Sequence, residues 1–117
     1  MKDFAKRVGL TIALAVAALL TGVASGTAGS AADTDLAIDN YAFKPPTFTV
    51  CTGKTLVWKN NDDDPHTVTG LDGSWDSKGL GLGDTYKHVF DKPGKYEYYC
   101  KVHPFMRGVI IVKECGQ

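Results

Sequence analysis

Short runs rich in β-branched and aromatic residues, broken by turn residues about every 8–12 positions, restrict the chain beyond residue 32 to an all-β fold. The runs are Leu36–Ile38, Phe48–Val50, Thr55–Trp58, Tyr86–Phe90, Tyr96–Tyr99 and Val109–Val112. Thr52-Gly53, Asn60 to Pro65, Asp72-Gly73, Gly79 to Asp84 and Lys92-Pro93-Gly94 punctuate them. No 3.6-residue hydrophobic period persists, and no segment repeats. The pattern predicts a β-sandwich.

The N-terminus reads differently. Lys2, Lys6 and Arg7 precede the apolar run Val8 to Leu20, and small residues follow as far as Ala32. This is the layout of a secretory signal over residues 1–32, with Ser30 and Ala32 meeting the small-residue rule for cleavage. The alternative is an uncleaved anchor, although a transmembrane helix needs roughly 20 apolar residues. Cleavage would leave a single domain, 33–117. Of the 13 basic and 13 acidic residues, Lys2, Lys6, Arg7 and Asp3 go with the signal, so the domain keeps 10 and 12, a formal charge of −2. There is no basic surplus for nucleic acid. A domain this small buries only about 60% of its unfolded surface, which leaves little room for a deep substrate cleft. Neither a phosphate-binding G-x-x-x-x-G-K-[ST] nor a G-x-S-x-G nucleophile turn occurs. An ordinary hydrolase or nucleotide enzyme is excluded.

Chemistry concentrates near the C-terminus, in Tyr98-Tyr99-Cys100-Lys101-Val102-His103-Pro104-Phe105-Met106-Arg107-Gly108. A thiolate, an imidazole and a thioether fall within seven residues at a strand end, and a second imidazole, His66, follows Pro65 upstream. One Cys, two His and one Met are the ligand set of a blue-copper electron-transfer site. Soft sulfur suits Cu(I), nitrogen suits Cu(II), and a trigonal site with a weak axial thioether serves both. Little then has to move when the electron arrives.

The chain resembles the small blue-copper cupredoxins of the plastocyanin/amicyanin type, and most closely the amicyanins. Cys100-x2-His103-x2-Met106 is the short ligand loop of amicyanins, and His103-Pro104-Phe105-Met106-Arg107-Gly108 is similar to theirs throughout. Phe43-Lys44-Pro45, Val50-x2-Gly53, Val57-Trp58-x-Asn60 and Pro65-His66-Thr67-Val68 follow the wider pattern, so the resemblance covers roughly Asp35 to Glu114. It implies a Greek-key sandwich of about seven to eight strands holding one type 1 copper ion. His66, Cys100 and His103 would form the trigonal plane and Met106 the axial contact. It implies a monomeric, non-enzymatic shuttle of single electrons, and the N-terminal signal places that shuttle in the periplasm or otherwise outside the cytoplasm. Partners would be redox proteins, such as an amine dehydrogenase and a cytochrome c. A membrane would be involved only through an uncleaved N-terminal segment.

Several residues stay open between a functional and a plain role. Thr67 stands where these families commonly carry Asn, which ties the two ligand loops together; its hydroxyl is the available substitute. His88 shares a strand face with Tyr86 and Phe90 and reads as a packed histidine. Strand alternation turns Tyr96 and Tyr98 inward with Cys100 and turns Tyr99 outward. There Tyr99 is either a side route to partners or a solvated tyrosine. Asp62-Asp63-Asp64 is either a solvated turn or a steering charge for a basic partner. In the fold the resemblance implies, Cys51 and Cys115 meet at the pole opposite the copper, which predicts a disulfide; two free thiols are the alternative. Three functional classes remain: a shuttle, a copper carrier that delivers its metal, and a copper enzyme. One methionine and three histidines in residues 33–117 argue against a carrier. A multicopper enzyme needs further domains and ligands.

Overall fold

Burial alternates along the strands as a two-sided sheet requires: in β1 (Thr34–Ile38) Leu36 and Ile38 are buried, and in β8 (Arg107–Lys113) Gly108, Ile110 and Val112 are buried. The computed structural model describes residues 33–116, and the export segment assigned to 1–32 lies outside them. The other strands are β2 (Phe43–Lys44), β3 (Thr47–Cys51), β4 (Thr55–Asn60), β5 (Thr69–Gly70), β6 (Thr85–Val89) and β7 (Gly94–Tyr99). They form two four-stranded sheets, ordered β2-β1-β4-β6 and β3-β8-β7-β5. The chain repeatedly crosses between the sheets. Two of the pairings are consequently parallel and distant in sequence: β1 with β4, and β3 with β8. The expected all-β sandwich is the fold found, with no helix among the described residues. Strands β2 and β5, each two residues long, are too short for sequence periodicity to register.

The inner faces meet in a core built around Trp58 and Tyr98, both fully buried. Trp58 Nε1 donates to Tyr98 Oη at 3.1 Å, which satisfies the indole N–H inside the sandwich. Burial pushes the Tyr98 phenol up to about 12, with the Trp58 bond opposing the shift, so it stays protonated. Gly108 lies opposite Tyr98 in the β7–β8 ladder, and a Cβ there would stand 2.4 Å from the Tyr98 ring. The ring occupies the space that any other residue would fill.

Cys51, at the end of β3, is bridged to Cys115 beyond β8, with Cα atoms 5.5 Å apart. Because β3 runs parallel to β8, both cysteines reach the same pole. Cys100 is the free cysteine, at the other pole. That other pole gathers the last residue of β4, the first of β6 and β8, and the turn between β7 and β8.

Candidate metal centre

The site begins with a buried asparagine. Asn60 ends β4 with no solvent exposure, and its Nδ2 donates to Asp64 O at 3.0 Å and to Leu80 O at 2.8 Å. Its Oδ1 accepts the Asp62 N–H at 2.9 Å. One side chain thus folds the acidic turn 61–65 back on itself and delivers His66 to the sandwich interior. Paired backbone bonds to Leu80, at 3.0 and 2.7 Å, fix His66 there.

Cys100 arrives from the end of β7 with its sulfur fully buried. The turn after it closes through Cys100 N–H to Met106 O at 3.2 Å and Met106 N–H to His103 O at 2.9 Å. Donor atoms of His66, Cys100 and His103 converge. Cys100 Sγ lies 3.8 Å from His66 Nδ1 and 3.9 Å from His103 Nδ1, and the two Nδ1 atoms are 3.1 Å apart. Met106, the fourth expected donor, is buried at 2% exposure and belongs to the same turn. His88 lies elsewhere, stacked on Trp75 with ring centroids 5.1 Å apart and bonded to Tyr86 Oη at 3.2 Å. Burial lowers its pKa, partly offset by Asp91, as for a packed histidine.

The surroundings assign a proton. His66 Nε2 lies 2.9 Å from Asp62 Oδ2, and a carboxylate only accepts, so Nε2 carries the hydrogen. Nδ1 is left as a lone pair aimed at the thiol and at His103. A carboxylate behind a ligating imidazole is a common way of fixing tautomer and ring orientation. Burial pushes the Asp62 carboxyl up, but the N–H groups of Tyr41 and Asn40, with His66, more than offset this and hold it below the usual range. Asp62 is therefore neither a solvated turn residue nor a free steering charge.

Tyr41 closes the top. Its ring stands nearly perpendicular to both imidazoles, with centroids 5.3 Å from His66 and 5.2 Å from His103, and its hydroxyl donates to Asp64. Asn40 and Tyr41 hold φ of 55° and 60°, sparsely populated for such residues. The Asp62 carboxylate keeps them there by accepting both N–H groups, at 2.7 and 2.9 Å. Neither Asp62 nor Tyr41 was among the expected site residues. The i,i+4 spacing of Asp62 and His66 was a usable signal, whereas Tyr41 comes from a turn 25 residues upstream of His66 and left none.

Thr67 does take over the loop-tying role. Its N–H donates to Cys100 Sγ at 3.3 Å and its Oγ1 accepts the Lys101 N–H at 2.8 Å, joining the two ligand loops. A set of one thiolate, two imidazoles and a nearby buried thioether suits copper and does not suit a hard cation.

Comparison with known proteins agrees with this geometry. Residues 10–112 match the family model for a cupredoxin-like domain. The chain belongs to the cupredoxin-like family. This cupredoxin is 33% identical over 108 residues to amicyanin-alpha of Methylorubrum extorquens, across 88% of its own length and 87% of the relative's. A reduced mutant of amicyanin superposes with a TM-score of 0.64 at 28% identity, covering 69% of this chain and 82% of that one. A copper-containing nitrite reductase from Thermus scotoductus superposes with a TM-score of 0.71 at 28% identity. That match takes in 80% of this chain and 25% of the reductase.

Proposed function

We propose that this cupredoxin is a type 1 copper electron carrier, not an enzyme, with His66, Cys100, His103 and Met106 as ligands. The observation that carries the reading is the convergence of the buried Cys100 sulfur with two imidazole Nδ1 atoms at 3.8 and 3.9 Å, held by hydrogen bonds behind each loop. Copper supplies the one-electron Cu(II)/Cu(I) couple. The chain's own residues do the rest. Asp62 fixes the His66 tautomer, and Thr67 holds the Cys100 sulfur from behind. The β7–β8 turn sets His103 and Met106. A scaffold built this way moves little between oxidation states, which keeps transfer fast.

His66, Cys100 and Met106 are buried, and His103 is the half-exposed member of the set. A partner therefore meets the site at the His103 edge, beside Phe105, which is 70% exposed. A small apolar contact suits the brief docking of redox partners, for which an amine dehydrogenase and a cytochrome c are the proposed donor and acceptor. The disulfide and the N-terminal pattern support an exported domain spanning 33–117, acting in the periplasm as a monomer.

The test is the visible spectrum of the purified protein after one equivalent of Cu(II). An intense blue band, lost on reduction and restored on reoxidation, is expected. Copper uptake without the band would overturn the assignment of Cys100 as a strong equatorial ligand and leave a carrier in its place.

A further inference from the structure

Behind the thiolate loop lies a hydrogen-bond chain whose direction can be worked out from its members. Asp76 Oδ1 accepts from Thr69 Oγ1 at 3.0 Å, so the single Thr69 hydroxyl hydrogen is committed to the carboxylate. Thr69 Oγ1 lies 2.9 Å from Thr67 Oγ1, and with its own hydrogen used it must accept there; Thr67 donates. The Thr67 oxygen then faces the Lys101 N–H with its lone pairs, at 2.8 Å. Lys101 closes the circuit, because its Nζ donates to Asp76 Oδ2 at 2.8 Å. Both threonines are buried, at 5% and 2% exposure, and the Asp76 side chain is 16% exposed.

The ring passes through Lys101, the residue that follows Cys100, and another of its members, Thr67, also donates its N–H to the Cys100 sulfur. Asp76 is itself held firmly. It faces Thr69 across an antiparallel bridge and accepts the Lys78 N–H at 2.9 Å, with Lys78 at φ 64°. A chain of hydroxyls ending on an anion polarises in one direction, and each bond strengthens the next. A neutral asparagine after the first histidine would tie the loops with one amide. Here the tie runs 25 residues along the chain from Lys101 to a carboxylate.

We propose that Asp76 and Thr69 are positioning residues of the copper site, fixing the Cys100 thiolate through Thr67 and Lys101. The inference rests on the copper reading of the site, but its first readout needs no metal. In the copper-free full-length protein, T69V breaks the ring in the middle without changing charge, and D76N removes its anionic end. Each should speed amide exchange at Lys101 by about fivefold or more, the loss of one net hydrogen bond, with β3 and β8 amides unchanged. T69S, which keeps the hydroxyl, should restore protection. The T69V/D76N double variant should add nothing to the larger single effect, since both cut one circuit.

In the copper-loaded protein, D76N leaves unneutralised the ammonium of Lys101, the residue that follows Cys100. It should move the Cu(II)/Cu(I) equilibrium against a one-electron mediator toward the reduced form by at least about threefold. T69V should move it less. Wild-type Lys101 exchange in both T69V and D76N, or strictly additive effects, would overturn the proposal. So would an unshifted redox equilibrium in a D76N protein that still shows the blue band. If the wild-type protein gives no blue band, the copper reading fails by itself, and the exchange data still decide whether the ring positions the loop.

Discussion

Replacing Asp62 by Asn tests the scaffold behind His66 most directly. The carboxylate accepts three hydrogens: Asn40 N–H and Tyr41 N–H at 2.7 and 2.9 Å, and His66 Nε2–H at 2.9 Å. Asparagine is nearly the same shape but has one acceptor oxygen, so its amide must turn hydrogens toward at least one of these donors. If the oxygen serves Asn40, the NH2 faces both Tyr41 N–H and the buried imidazole. A hydrogen bond to a charged group contributes about 1.5–3 kcal/mol. The copper-free protein should therefore lose roughly 2 kcal/mol, or about 8–16 °C in Tm for a domain of this size. With the tautomer no longer held, Nδ1 carries the proton part of the time, and copper affinity should fall about 10–100-fold. Thermal unfolding of the copper-free protein reads the first effect, and competition with a copper chelator reads the second. A Tm within about 2 °C of wild type together with affinity within about threefold would refute the argument, because both numbers rest on the same three bonds.

Replacing Cys51 and Cys115 by Ser should destabilise the protein by up to about 4 kcal/mol on the chain-entropy model, read as a lower denaturant midpoint, while the blue band of the oxidised protein survives. Gly108→Ala should cost about 1–3 kcal/mol, because the new methyl meets the Tyr98 ring; the denaturant midpoint falls while the m-value stays. The bond from Lys101 lowers the Asp76 carboxyl to about 2, with Lys78 and Thr69 assisting, while burial opposes the shift. A depressed carboxyl stabilises above its unfolded value and loses that contribution as pH drops through the folded one. Stability should therefore decline by on the order of 1–2 kcal/mol between about pH 4 and pH 2, and D76N should flatten that limb in acid denaturation.

The proposed ligands were legible because three of the four lie in one turn, where spacing survives folding unchanged. Their supports were not. Asp76 reaches Lys101 only because a hairpin brings it back beside Thr69, and Tyr41 reaches the histidines only because Asp62 holds two residues at positive φ. Such contacts depend on where turns point, which residue type encodes weakly. The strands with clear alternation, β1 and β8 among them, were readable, whereas β2 and β5 owe their existence to partners across the sheet. Asp62-Asp63-Asp64 shows the limit plainly: three identical side chains in a row, of which one is wholly engaged behind His66 and another receives the Tyr41 hydroxyl. The Cys51–Cys115 pairing could be foreseen because the family resemblance implied the directions of the strands that carry the two cysteines.

The parallel pairing of β3 with β8 matters for the order in which the protein becomes competent. Thr47 pairs with Val109, 62 positions away in sequence, and β8 is an interior strand of its sheet, flanked by β3 and β7. Contacts of such separation form late and slowly. The turn bearing Cys100, His103 and Met106 joins β7 to β8, so it is held in place opposite His66 only once β8 has been made and has docked in its sheet. A chain emerging from its N-terminus shows no histidine before His66, and of the four proposed ligands it carries only His66 until Cys100 is added. Metal capture is thereby deferred until the fold is complete, and the ion must come from wherever the finished fold resides.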